Sequence, residues 1–215
     1  NGYELALFDL DGTLADTAAD VHYSMNLLRK ELGMREISLT EAKKSIGPGP
    51  ELFVKCLTDN RAHLDLKETI SRFREIYFGN LLNQTQLFSG MMEVVQKLFS
   101  RDVSLMVVTN KPSRFANRIV EELQLGPYFE AVISAEDVKK RKPAPEPILK
   151  AMELADLPAD KTLMIGDTEY DIRSAVNAGV DVCAAGYGYS PKSKLRHFKP
   201  TYFVDHPREI LSIWS

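Results

Sequence analysis

Two aspartates one residue apart close the first apolar run of the chain, where Leu5-Ala6-Leu7-Phe8 leads straight into Asp9-Leu10-Asp11-Gly12-Thr13. Residues two apart on a strand face the same way, so this spacing predicts both carboxylates converging above a strand end. Gly12 lets the chain turn away at once. Two such charges about 4 Å apart repel by ~4 kcal/mol at an effective dielectric of about 20. The pair therefore requires a cation, a shared proton or solvent. A solvated Asp-Gly turn is the ordinary fate of such dipeptides, but four apolar residues running directly into this one argue for a buried pair.

A second acidic pair lies late in the chain. Leu163-Met164-Ile165-Gly166 ends in Asp167, with Asp171 four residues on at a helix start. Alone, Asp171 reads as a residue favoured by the helix dipole. Together with Asp9 and Asp11 it makes four carboxylates at the carboxyl ends of two strands. Such a set suits a hard cation such as Mg²⁺, which takes oxygen ligands and commonly keeps waters and a substrate phosphate.

Two further runs fit the same place. Leu105-Met106-Val107-Val108 delivers Thr109-Asn110-Lys111, a hydroxyl and free backbone N–H groups that would suit a phosphoryl oxygen. A hydrophilic β-to-α turn is the equally ordinary reading. Then comes Lys139-Lys140-Arg141-Lys142-Pro143-Ala144-Pro145. Lys139, Lys140 and Arg141 read as a solvated basic face. Pro143 biases Lys142 toward an extended shape and holds one ammonium in a fixed place.

These residues need strands to carry them. Residues 3–10, 103–109, 131–134, 162–166 and 180–184 have strand length and composition. Helical patterns alternate with them: 113–123 with Ser113 as cap, a helix with Pro147 as its first residue, and 171–178 stopped by Gly179. Alternation of this kind predicts an α/β fold, a Rossmann-like parallel sheet flanked by helices.

From about Asp16 to Asn83 the pattern is helical only. Val21, Met25, Leu28 and Leu32 form one stripe, ended by Gly33. Ser38 and Glu41 form a capping box before a short helix that stops at Gly47. Ile70, Phe73, Tyr77 and Leu81 form another stripe. Such stripes are core packing, and they predict an all-helical cap inserted after the first strand. The expected division is 1–15 and 84–215 for the core and 16–83 for the cap. A cleft between them falls at the carboxyl ends of the strands. Ile46-Gly47-Pro48-Gly49-Pro50 is a candidate substrate-facing loop, or a plain interhelical turn.

Composition narrows the partners. The 215 residues hold 27 Lys+Arg against 30 Asp+Glu, a net charge of −3, which offers no basic face for nucleic acid. No apolar run is long enough to span a membrane. Cys56 and Cys183 match no metal or redox motif and are expected as two buried thiols in a reducing compartment. His22, His63, His197 and His206 are scattered, with no metal-site spacing. The opening Asn1-Gly2-Tyr3 carries no signal-peptide pattern, so a cytoplasmic monomer or homodimer is expected.

The motifs in order, Asp9 to Thr13, Thr109-Asn110-Lys111, Lys142-Pro143, and Gly166-Asp167 with Asp171, resemble the four motifs of the haloacid dehalogenase superfamily over nearly the whole chain. The resemblance implies that Asp9 is the nucleophile that forms an aspartyl-phosphate and that Asp11 is the general acid and base. It implies that Thr109 grips the transferring phosphoryl group while Lys142 steadies the nucleophile. Asp167 would bind Mg²⁺ with the Asp9 carboxylate and the Asp11 backbone carbonyl, and Asp171 would support the metal directly or through water. Thr109, Asn110, Lys142 and Gly47 are the expected substrate-binding residues, and the partner is a small phosphorylated metabolite.

An Asp at position 11 favours phosphoryl chemistry over dehalogenation within that superfamily. The runs Thr109-Asn110-Lys111-Pro112, Lys142 to Pro147 and Gly186-Tyr187-Gly188-Tyr189 resemble its phosphoglycolate phosphatase branch. Inorganic pyrophosphatases and sugar-phosphate mutases share the same core residues, although the stretch from Gly47 to Leu57 lacks a mutase-type cap motif. A phosphonate hydrolase would use Lys43, Lys44 or Lys55 as an amine nucleophile. A phospho-accepting signalling domain is the alternative from another class.

Overall fold

A computed structural model describes residues 2–59 and 64–214 of the chain. Its centre is a parallel six-stranded sheet in the order β5-β4-β1-β6-β7-β8. These strands are β1 (Leu5–Phe8), β4 (Ser104–Val108), β5 (Ala131–Ile133), β6 (Thr162–Gly166), β7 (Asp181–Ala185) and β8 (Tyr202–Val204). Counted along the chain this is the 3-2-1-4-5-6 order of doubly wound sheets, with the reversal between β1 and β6. Phe8 registers with Ile165 across that reversal and with Val107 on the other side. The first and last acidic motifs therefore leave the sheet side by side.

Every residue of β1 and β6 is buried, as expected for strands covered on both faces. Alternation sends the β1 side chains into two cores. Leu5 and Leu7 pack with Ile148 of α7 (Glu146–Ala155) and Ile172 of α8 (Glu169–Ala178). Ala6 and Phe8 pack on the other face, with Val94 of α5 (Met91–Phe99) and Ile119 of α6 (Ser113–Glu122).

Between β1 and β4 the chain forms α1 (Ala18–Glu31), α2 (Leu39–Ser45), α3 (Pro50–Leu57) and α4 (Leu66–Asn80). Their apolar stripes join the second core through an aromatic line: Phe53 to Phe73 at 5.2 Å between ring centroids, Phe73 to Tyr77 at 5.7 Å, and Tyr77 to Phe115 of α6 at 5.3 Å. Ser38 accepts from the Glu41 N–H while the Glu41 carboxylate accepts from the Ser38 N–H, as the capping box requires. The return of the chain is strapped to α1, since the buried Asp20 carboxylate accepts from Gln84 N and from Thr85 N and Oγ1.

Several local expectations are corrected. Ser113 does not cap α6: Pro112 is the cap residue, and the Glu136 carboxylate accepts from the Ser113 N–H and hydroxyl, satisfying a donor the helix leaves free. Pro147 is the second residue of α7, and Asp171 the third of α8. The segment around Asp16 is not only helical, because β2 (Ala15–Asp16) pairs antiparallel with β3 (Gln86–Leu87). Cys183 is buried but Cys56 is exposed. His63 lies outside the described residues; His22 bonds to the Ile37 carbonyl oxygen, and no described histidine joins an acidic cluster. Among the described residues no helix is long and apolar enough to cross a membrane.

Candidate active site

Asp9 follows β1 directly and keeps the sheet register, donating its N–H to the Ile165 carbonyl at 2.9 Å. Its Oδ1 accepts from Leu10 N at 2.8 Å and lies 3.0 Å from Lys142 Nζ. The Lys142 ammonium, itself buried, also donates to Asp171 Oδ1 at 2.6 Å and to the Val108 carbonyl at 2.7 Å. One lysine thus links the ends of β1 and β4 and the start of α8. Burial and the nearby Asp171 charge push the Asp9 carboxyl up to about 7, against the opposing pull of Lys142. Burial works against the Lys142 charge, but Asp171 and Asp9 hold it above the ordinary lysine range.

The Asp11 carboxylate takes a different cation. Lys111 Nζ sits 2.8 and 3.1 Å from its two oxygens, and Thr17 Oγ1 donates to Oδ1. The repulsion expected of the Asp9–Asp11 pair is thereby met by two separate buried lysines. Burial works against the Lys111 charge, and Asp11 more than offsets it, leaving its ammonium above the ordinary range.

Thr109 is buried at the end of β4, and its hydroxyl accepts from Lys111 N at 3.1 Å. Two of the backbone N–H groups expected to be free here are therefore occupied, since Thr109 N donates to the Ile133 carbonyl. Asn110 Nδ2 donates to the Gly47 and Lys142 carbonyls at 2.9 Å each, joining the helical segment to the core. Its Oδ1 is buried without a hydrogen-bond partner. Arg141 departs from a solvated face: it pairs with Glu51 of α3 at 2.9 Å and packs against Gly49.

Asp167 and Asp171 are fully buried. Asp171 Oδ2 accepts from Thr168 N at 2.9 Å and from Thr168 Oγ1 at 2.6 Å, which fixes the carboxylate at the first turn of α8. Asp167 Oδ2 accepts from Tyr189 N at 2.7 Å. Burial, with the charges of Asp171 and Asp9, holds the Asp167 carboxyl well above the usual range.

Oxygens of Asp9, Asp167 and Asp171 all lie within 4.8 Å of one another. An all-oxygen set of three buried carboxylates fits a hard divalent cation, and the raised carboxyls of Asp9 and Asp167 reflect burial together with negative charge gathered without enough positive charge. Asp11 contributes no side-chain oxygen to this cluster.

The backbone closes around it. A Cβ built on Gly188 would stand 2.3 Å from Asp167 Cβ and 2.5 Å from the Gly12 carbonyl, and one on Gly12 would meet Asp167 Oδ2 at 2.3 Å. Gly188→Ala is therefore expected to lower stability by about 1–3 kcal/mol, the usual range for forcing volume into a packed site. Urea unfolding of the variant checks this, and an unchanged midpoint would contradict the packing described.

Lys111, Thr17, Tyr189 and Gly188 were not given these roles from the sequence. Tyr189 Oη accepts from Thr17 N at 2.8 Å, across the length of the chain. The only local signal was the Gly-Tyr-Gly-Tyr run, whose glycines mark a close backbone approach.

A cleft opens over these residues. Asp9, Asp11, Thr109 and Lys111 line its floor, while Phe53, Phe73, Arg74 and Tyr77 of α3 and α4 and the Ile46 to Pro50 loop line its other wall. Gly47 and Asn110 both border it.

Comparison with known proteins gives a consistent picture. The family described as haloacid dehalogenase-like hydrolase matches residues 6–185. The phosphoglycolate phosphatase of Aquifex aeolicus (strain VF5) is 30% identical over 207 residues, covering 96% of this chain and 94% of that protein. A protein of Caldanaerobacter subterraneus subsp. tengcongensis, named as a candidate pyrophosphatase PpaX, is 33% identical over 208 residues, covering 96% and 92%. The crystal structure of a predicted phosphoglycolate phosphatase from Haemophilus somnus 129pt superposes with a TM-score of 0.94 at 26% identity, covering 100% of this chain and 99% of the other.

Proposed function

This chain belongs to the haloacid dehalogenase-like hydrolase family and is a phosphoric monoester hydrolase resembling phosphoglycolate phosphatases; we propose that it hydrolyses a small phosphate monoester through an aspartyl-phosphate on Asp9. The observation that carries this reading is the meeting of Asp9, Lys142, Asp167 and Asp171, from three separate segments, in one buried cluster whose Asp9 reaches the floor of the cleft beside Thr109.

Asp9 presents a carboxylate oxygen to phosphorus. The new Asp9–phosphorus bond forms as the bond from phosphorus to the leaving oxygen breaks, and Asp11 passes to that oxygen a proton it must first take up, leaving its ion pair with Lys111. Water then attacks phosphorus, Asp11 takes back a proton, and the Asp9–phosphorus bond breaks to release phosphate. Correctly placed acid–base groups of this kind contribute about 10²- to 10⁴-fold. Lys142 holds the attacking oxygen in place, and the Thr109 hydroxyl supplies a donor toward the phosphoryl oxygens.

Asp9, Asp167 and Asp171, with the Asp11 backbone carbonyl, would hold Mg²⁺. When bound, the ion offsets the charge that opposes approach of a carboxylate to a phosphate. Residues 16–83 act in this proposal as a cap over the cleft, with Gly47 and Asn110 at the seam.

A chelator is expected to abolish activity, and added Mg²⁺ to restore it and to raise the midpoint of thermal unfolding. Asp167→Asn should remove the Mg²⁺ effect on unfolding. Full turnover in chelator would overturn the metal assignment.

Comparing kcat/KM over a panel of phosphate monoesters and pyrophosphate tests the substrate class, with 2-phosphoglycolate expected first. Pyrophosphate stands as the second reading, favoured by the 33% identity to the candidate pyrophosphatase. A phosphonate hydrolase is not favoured: Lys43 Nζ lies over the Tyr189 ring at 5.3 Å, and Lys43, Lys44 and Lys55 do not border the cleft over Asp9.

A further inference from the structure

The cleft holds a cation without a counter-charge. Lys111 is matched by Asp11, and Lys142 beneath the floor by Asp9 and Asp171. Arg74 of α4 borders the same cleft, yet among the described residues its guanidinium makes no ion pair and no hydrogen bond, and its Nε is buried without a partner. An arginine keeps its charge, so a guanidinium nitrogen shut away from both water and carboxylate costs folding energy. Such a group is retained at a cost when something outside the chain completes it.

The neighbours narrow what that is. Arg74 and Tyr77 are three residues apart and share a face of α4. The Tyr77 hydroxyl is likewise buried, with no well-aligned hydrogen bond and only the Lys111 ammonium facing it, and its ring lies 4.8 Å from Lys111 Nζ. Beside the arginine stand Phe53, Phe73 and Phe115, which offer no hydrogen bonds. The planar fork of an arginine matches the two oxygens of a carboxylate or a phosphate.

We propose that Arg74, seconded by Tyr77, is a specificity residue that binds a second anionic group, carboxylate or phosphate, on the leaving portion of the substrate. The inference rests on the function proposed above and names the residue that would select, among phosphate monoesters and anhydrides, those whose leaving group is itself an anion. In the proposed function the transferring phosphoryl group meets Asp9 and Thr109 on the floor of the cleft, with Lys142 beneath them. Arg74 belongs to the facing wall, so it reads the rest of the molecule.

The test uses the full chain with Mg²⁺ and three substrates: 2-phosphoglycolate, pyrophosphate, and uncharged-tailed 2-hydroxyethyl phosphate. Arg74→Gln is expected to lower the ratio of kcat/KM for an anionic-tailed substrate over the neutral one by about 10- to 100-fold, the worth of a charge-assisted hydrogen bond. The change should fall mainly on KM, and Arg74→Lys should recover part of it. The carboxylate and phosphate arms show which anion is preferred. An equal loss on all three substrates would place Arg74 on the transferring group or in folding and overturn the proposal, as would no change on any.

Absence of turnover on every substrate by the wild-type chain would sink the proposed function instead. Calorimetric binding of 2-phosphoglycolate to Asp9→Asn, with and without Arg74→Gln, then decides the subsite separately. Tighter binding with Arg74 supports it, and equal binding overturns it.

Discussion

Asp9→Asn is expected to reduce steady-state phosphate release by about 10⁴-fold or more, as loss of a covalent nucleophile does in other enzymes. The amide keeps the shape of the carboxyl group and an oxygen able to accept from Leu10 N and Lys142 Nζ, the contacts Asp9 Oδ1 makes now. It also relieves repulsion from Asp171, which with burial holds the Asp9 carboxyl up to about 7. Loss of attraction to Lys142 opposes that gain, so the variant should fold with stability within about 2 kcal/mol of the parent. Phosphate release by the purified variant, with mass spectrometry to exclude deamidation, reads the effect. Repeated turnover by the intact Asp9→Asn protein would remove Asp9 from the chemistry.

The second large effect is on stability. Lys142→Met replaces the ammonium between Asp9 and Asp171 by an apolar chain of similar length, leaving Asp9, Asp167 and Asp171 clustered with no cation against Asp9 and Asp171 among the described residues. Removing one partner of a buried pair typically costs about 3–5 kcal/mol, because the remaining charge stays desolvated. Urea unfolding in chelator should show a loss of that size. The contrast is Lys161, which pairs with Glu4 at 2.8 Å in the open. There Lys161→Met should change stability by less than about 1 kcal/mol. A loss under about 1 kcal/mol for Lys142→Met would mean that the cluster is neutralised in another way.

Part of the site was legible because Asp9, Thr109 and Asp167 each directly follow a buried strand. Leu5 to Phe8 and Leu163 to Gly166 are apolar throughout and stop at an aspartate, so position and chemistry announce themselves together. Strand–helix alternation likewise carried the parallel sheet flanked by helices. The short strands β2 and β3 escaped because two residues carry no period, and β8 (Tyr202–Val204) also went unread.

Contacts between distant segments were illegible for a different reason. Thr109-Asn110-Lys111 looks the same whether Lys111 points to solvent or, as here, reaches Asp11 across 100 positions. Gly188 against Asp167 and Arg141 against Glu51 are products of the fold and leave no local spacing to read. The unpaired Arg74 is hidden most of all, since it is one charged residue among several on α4. Cys56 was misplaced because composition alone does not tell which side of a short helix faces out.

Rapid acid quenching of the wild-type enzyme during turnover of a phosphorus-labelled ester, followed by peptide mapping, tests the account most directly. Label held on the peptide that contains Asp9, labile to hydroxylamine and absent in Asp9→Asn, is the predicted result. Label on another residue, or none at any time point while phosphate is still released, would contradict it.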